Sequence, residues 1–169
     1  MENIPAVFAL FDAARMGHWM EQAKEIRVDA ASLYKGRGEE MLAPFAPHLL
    51  SFDPDSELSR WFFTHGWGES WGVFCCSAAP AHDLLRHFRR FLKVGLEGGK
   101  PFFFRFYDPR VLRTFLPTCD APQLQLFFGP IDYFWVEDED PDYGLYFLLN
   151  GDALVTYRVS RTELEETFS

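Results

Sequence analysis

The sequence predicts a single α/β domain: a largely parallel or mixed sheet flanked by helices, with an antiparallel hairpin toward the C-terminus. Three observations carry this. Short apolar runs alternate with amphipathic stretches through most of the chain, the pattern of strands joined by helices. Near the end the apolar runs follow one another without helical spacing between them, as in a hairpin. The third is composition: 169 residues that are 48% apolar and 18% aromatic suffice for one sizeable core and exclude a disordered chain.

The elements follow in order. Residues 7–11 form an apolar run ended by Asp12, read as a buried strand. Met16, Trp19, Met20 and Ala23 then recur at helical spacing. Residues 48–52 are a second strand, and Asp53-Pro54 reads as an N-cap with proline at the first helical position. Leu58, Trp61 and Phe62 line that helix, and Gly66 stops it. Residues 71–76 are a third strand. Leu84, Leu85, Phe88, Phe91 and Leu92 line the clearest helix, which is followed by a turn at Gly95, Gly98 and Gly99. Residues 102–107 read as a strand, and Asp108-Pro109 opens a helix with Val111, Leu112, Phe115 and Leu116 on its inner face and Arg110 and Arg113 outward. A short helix at 123–128 ends at Gly129. Strands at 131–136, 145–149 and 154–159 complete the pattern, with 137–142 as an acidic loop and 161–169 as a helix or a tail.

Composition narrows the function classes. The net charge of −9 repels phosphate backbones and argues against a nucleic-acid ligand. No apolar stretch has the length of a membrane span, and residues 1–6 lack the basic region of a signal peptide, so a cytoplasmic location is expected. The three cysteines, two of them adjacent, suit reduced thiols. Nineteen phenylalanines require burial in a core or against a partner.

Chemistry-bearing motifs are sparse. His82 and His87 miss the spacing of a helical metal pair, and there is no Cys-x-x-Cys, nucleophile elbow or glycine-rich phosphate loop. No catalytic residue, metal or cofactor is expected. Two polar pairs stand out: Asp12 with Arg15, and Arg105 with Asp108. Each lies at a strand-to-helix junction, and in a parallel sheet such junctions share one edge, where ligands bind. The four converge on a polar site, or the aspartates are N-caps. Arg105, inside a run of phenylalanines, requires a carboxylate partner, Asp12 or Asp108, and a buried or half-buried location; its loss would then cost about 3–5 kcal/mol. Asp108 read as a cap alone predicts that Asp108→Asn is nearly neutral. Trp67 and Trp71, beside a glycine-rich turn, are candidate aromatic contacts for a protein partner, or core. The acidic run is a solvated loop or a site for a basic partner.

Six segments stand in order along the chain: Phe8-Ala-Leu-Phe-Asp-Ala-Ala-Arg15, Ser32-Leu-Tyr-Lys-Gly36, Ala46-Pro-His-Leu-Leu50, Trp71-Gly-Val-Phe74, Phe104-Arg-Phe-Tyr-Asp-Pro-Arg-Val-Leu112 and Phe128-Gly-Pro130. Together they resemble a family of bacterial proteins originally known only as a domain of unknown function, whose members act as type VI secretion adaptors, or effector chaperones. The resemblance implies residues 1–136 as an adaptor-family core, with residues 137–169 adding the acidic loop, edge strands and a short tail to the same domain. Many members carry a further, mostly helical C-terminal lobe. It also implies two protein partners, an effector toxin and the VgrG spike protein, and no catalysis. The competing expectation is a small-ligand binder or enzyme using Asp12, Arg15, Arg105 and Asp108.

Overall fold

The computed structural model describes residues 3–36, 40–94 and 102–168; the expected turn at Gly95, Gly98 and Gly99 lies outside them. The chain runs through β1 (Ala6–Asp12), α1 (Ala13–Met16), α2 (Trp19–Ile26), β2 (Ala31–Ser32), a 3-10 segment (Glu40–Phe45), β3 (Pro47–Ser51), α3 (Glu57–His65), β4 (Gly72–Ser77), α4 (Ala81–Arg89), β5 (Lys93–Val94), β6 (Phe102–Phe103), α5 (Pro109–Phe115), a 3-10 turn (Leu116–Thr118), α6 (Ala121–Phe128), β7 (Tyr133–Glu137), β8 (Tyr143–Asn150), β9 (Ala153–Ser160) and α7 (Arg161–Phe168). One seven-stranded sheet has the order β2-β3-β1-β4-β7-β8-β9, and β5 and β6 form a separate ribbon.

The α/β class and the C-terminal hairpin, β8 with β9, agree with expectation. The sheet direction does not: every neighbouring pair is antiparallel. The reason lies in strand order. β3 and β4 both pair antiparallel with β1, so they run parallel to each other and are joined through α3. That is the crossover the alternating pattern announced, but the slot between the two parallel strands is filled by β1 running the other way. Strands covered on both faces read as unbroken apolar runs in either arrangement.

Helices cover both faces. Along β1, Phe8 and Leu10 join an apolar cluster with Leu84 and Phe88 of α4, Leu112 of α5 and Phe127 of α6. Ala9 and Phe11 point the other way, into a cluster with Met20 of α2, Phe62 of α3 and Leu164 and Phe168 of α7. This is the period-two alternation of a strand between two layers. At least ten of the nineteen phenylalanines are fully buried, so the core absorbs much of the phenylalanine excess. Across β4 and β7 the rings of Phe74 and Trp135 lie 3.7 Å apart and nearly parallel.

Local signals were mostly honoured. Gly17, at φ 59, divides the first expected helix into α1 and α2. The cap of α3 is Ser56, which accepts from the Ser59 N–H at 3.1 Å, and not Asp53, which pairs with Arg27. The expected strand over 102–107 is confined to β6. The segment after it folds across the first face, where Phe106 and Tyr107 are buried. The C-terminal stretch is a helix, because Leu164 and Phe168 complete the second cluster.

Candidate functional site

β1 and β7 both pair antiparallel with β4, so they run in the same direction on either side of it. Their C-terminal residues, Asp12 and Glu137, therefore reach the same end of the sheet and flank the start of β4. The Asp12 N–H donates to the Trp71 carbonyl at 2.8 Å. Gly72 permits this: a Cβ there would lie 2.1 Å from the Leu10 carbonyl oxygen.

Asp12 is the N-cap of α1. Its carboxylate accepts from the N–H groups of Ala14 at 3.1 Å and Arg15 at 3.4 Å, donors that the first helical turn leaves without partners. It also pairs with the Arg105 guanidinium. Asp108 caps α5 in the same way, accepting from the Arg110 N–H at 3.0 Å, with Pro109 at the first helical position. The Arg110 side chain returns onto it through Nε at 3.0 Å and Nη2 at 2.7 Å, a two-pronged pair. Arg105 lies 4.0 Å from Asp108 as well. The result is a chain of alternating charge: Asp12, Arg105, Asp108, Arg110.

Burial is uneven along that chain. The Asp12 and Asp108 side chains are 2% and 5% exposed, those of Arg105 and Arg110 46% and 49%. The expected pairing of Arg105 is present and its side chain is half-buried, as expected, while the deeper burial falls on the carboxylates. Burial pushes the Asp108 carboxyl up, yet the Arg110 bonds and the charge of Arg105 outweigh it and hold it below the usual carboxylate range. Since the arginine end is half in water, Arg105→Ala is expected to cost about 2 kcal/mol, less than for a wholly buried pair.

The arrangement also revises Asp108. Asn would keep the cap but lose the ion pair with Arg110. Asp108→Asn is therefore expected to lower stability by about 1 kcal/mol instead of being neutral. Urea denaturation measures this; an unchanged midpoint would reduce Asp108 to a cap.

Arg15 does not join the cluster. Its Nε donates to the Glu69 carbonyl at 3.0 Å, on the turn before β4. That turn is organised by Glu137, which is 3% exposed and accepts from the N–H groups of Gly68 at 3.0 Å and Ser70 at 3.1 Å. Gly68 at φ 88 and Ser70 at φ 56 adopt the left-handed region, and the turn presents both N–H groups to the carboxylate. Arg113 donates to the Glu137 carbonyl at 2.6 Å, so it is anchored rather than simply outward. Burial pushes the Glu137 carboxyl up to about 7 against the opposing pull of the two N–H groups and Arg113.

Trp67 and Trp71 are buried, so the structure places them in the core and not on a partner surface. Trp67 stacks on Phe63 with ring centres 5.6 Å apart and donates its indole N–H to the Pro141 carbonyl at 2.7 Å. Trp71 packs against Trp61 and Trp19. In the acidic run, Asp138 and Asp140 are paired with Arg158, and Glu137 belongs to the strand and not to a solvated loop.

Two hollows flank α5 and share Arg110. One, about 510 Å³, is an open groove lined by Asp108, Arg110, Val111, Thr114, Phe115 and Thr118. The other, about 300 Å³, is lined by Trp67, Gly68, Ser70, Arg110, Arg113, Glu137 and the acidic loop. Of the face expected on the sheet, Leu112 and Leu116 are buried and Phe115 packs against the same apolar cluster, while Val111 and Phe115 remain partly exposed in the first hollow. Among the described residues no group of three His, Cys, Asp or Glu is placed to hold a metal ion, and no helix is long and apolar enough to cross a membrane. Burial raises the thiols of Cys75 and Cys76, which disfavours their reactive thiolate form.

Two members of the site escaped the sequence reading. Arg110 was visible as Asp-Pro-Arg, where an arginine two positions beyond a cap can fold back onto it. Glu137 was visible as an acid abutting an apolar strand, but the acids after it masked it as loop. A family model described as a domain of unknown function, DUF4123, matches residues 7–126. The matched span includes Asp12, Arg15, Arg105, Asp108 and Arg110, and ends before Glu137. No curated protein and no solved structure matches the chain.

Proposed function

We propose that this chain, which belongs to the DUF4123 family, is a non-catalytic adaptor that binds a type VI secretion effector in the bacterial cytoplasm and assists its loading onto the VgrG spike. The observation that carries this reading is the pair of half-exposed arginines, Arg105 and Arg110, held by buried carboxylates beside an open groove with Val111 and Phe115 in its wall. Arginine is enriched among residues that dominate protein interfaces. Holding its guanidinium in place before binding lowers the entropy cost of association. The polar groups of the cluster are satisfied by one another, as suits a fixed recognition surface rather than a reacting centre.

Co-expression with the products of the neighbouring genes, followed by size-exclusion chromatography, tests the reading. A complex with an effector or spike protein is expected. The double variant Arg105→Ala, Arg110→Ala is expected to weaken it by about tenfold or more while still melting cooperatively. Separate elution of the wild type from every such product would count against the adaptor. The groove also falls within the size range of ligand pockets, which keeps a small-ligand binder as the second reading. A metabolite that raises the melting temperature of the isolated chain, with loss of that effect in the same double variant, would favour it.

A further inference from the structure

The two edges of the seven-stranded sheet differ. β2 closes one of them with only two residues. β9 forms the other and is eight residues long. An open edge strand presents a row of unpaired N–H and C=O groups, which proteins ordinarily guard with shortness, charged side chains, proline or a bulge. β9 has no proline and no bulge, and its one charged side chain, Arg158, is drawn back onto Asp138 and Asp140. Its register with β8 runs without interruption from Ala153 opposite Asn150 to Ser160 opposite Tyr143.

Bond parity identifies the open groups. A two-residue turn, Gly151-Asp152, closes the hairpin, and the Arg161 N–H donates to the Asp142 carbonyl across the same ladder. Both place the odd-numbered residues of β9 in the bonds to β8. Ser160, on the outer side, donates its N–H to the Glu163 carboxylate at 3.1 Å. Leu154, Thr156 and Arg158 then turn their N–H and C=O groups away from the sheet, with no described strand beyond them. On the adjoining face Tyr146 stands opposite Tyr157 and Leu148 opposite Val155, all of them partly or largely exposed.

We propose that this edge docks an extended strand of a partner protein, with alternating apolar residues and basic residues at its ends. Main-chain bonds to β9 supply the ladder, and Tyr157 and Val155 supply side-chain contact. Charge decides the occupant. Exposed acids bracket the strand: Asp152 before it, and Glu163 and Glu166 after it; the nearby cations Arg158 and Arg161 are already paired with Asp138, Asp140 and Glu165. Two copies paired antiparallel about Tyr157 would bring the Asp152 end of each against the Glu163 and Glu166 end of the other, and each copy carries −9. Like charges would then meet at both ends of the ladder, whereas a basic-ended strand meets both favourably. This inference stands apart from the adaptor reading, because it uses neither Arg105 nor Arg110.

The probe is a terminally blocked synthetic peptide of alternating valine and threonine with lysine at both ends, titrated into the ¹⁵N-labelled full chain. At saturation the amides of Leu154, Thr156 and Arg158 are expected to exchange with solvent about tenfold more slowly or better. The same peptide with glutamate ends is expected to bind about fivefold more weakly. Thr156→Pro removes an outward N–H without touching the bonds to β8, and is expected to weaken binding by about tenfold. Should that variant fail to fold, Asp152→Lys serves instead and is expected to shift preference toward the glutamate-ended peptide. Three results would overturn the proposal. They are no protection of the three amides by the lysine-ended peptide, equal affinity for both peptides, or amides already protected in a dimer of the chain alone.

Discussion

Asp12→Ala is expected to destabilise the protein by about 3 kcal/mol and to lower its melting temperature by roughly 6–12 °C. The buried carboxylate does two things. It satisfies the N–H groups of Ala14 and Arg15 at the start of α1, and it holds Arg105. Alanine abolishes the cap, worth about 0.5–2 kcal/mol, and leaves the remaining cost to the lost charge-assisted bond. Arg105 is 46% exposed and rehydrates when released, so its side of the pair is discounted. Asp12→Asn separates the roles. Asn caps about as well as Asp, but its amide sets a donor against the donors of Arg105. That variant is expected to retain most of the stability and to release Arg105, weakening the proposed partner binding as loss of the Arg105 side chain would. Full partner binding by a folded Asp12→Asn protein would show that the pose of Arg105 is not used.

The second large effect concerns pH. Burial holds the Glu137 carboxyl at about 7, against an ordinary 4.5. Its folded value is raised, so the unfolded chain loses this proton first as pH rises. The group is neutral in both states below about pH 4.5 and contributes nothing there. Through the window from about 4.5 to 7 it progressively costs stability, reaching about 3 kcal/mol above pH 7. Buried His48 and His87 act oppositely. Burial lowers both, so acid forces a charge onto the folded imidazoles and stability falls with pH. Urea denaturation of wild type and Glu137→Gln at about pH 8 and pH 5 cancels the histidine terms in the difference. On going from pH 8 to pH 5 the wild type is expected to gain about 2.5 kcal/mol relative to the variant, since the unfolded carboxyl is already partly ionised at pH 5. A constant difference between the two proteins would show that Glu137 is ionised throughout and that the turn 67–70 stabilises its charge fully.

How much of the site was legible in the sequence varies by residue. Asp108-Pro109 was readable as a helix start because capping is local chemistry, fixed within three residues. The Arg105 pairing was readable because a guanidinium among phenylalanines demands a carboxylate. Arg15 was not placed correctly, since its partner, the Glu69 carbonyl, is a backbone group that no side-chain pattern reveals. Trp67 and Trp71 stand beside a turn in sequence, but the left-handed Gly68 and Ser70 fold that turn back over Glu137, and both indoles are buried.

The sequence alone determined where most of the strands and helices lie and that helices flank the sheet. Period and composition encode these, because they follow from where each side chain must go to leave water. Only the tertiary structure decided strand order and direction. A strand buried on both faces carries the same apolar run whichever way it points. Placing β1 between β3 and β4, and β4 between β1 and β7, brings Asp12 and Glu137 to one end of the sheet although 125 positions separate them. No local rule specifies that meeting. It follows from long-range backbone pairing, and the charged cluster and its neighbouring turn depend on it.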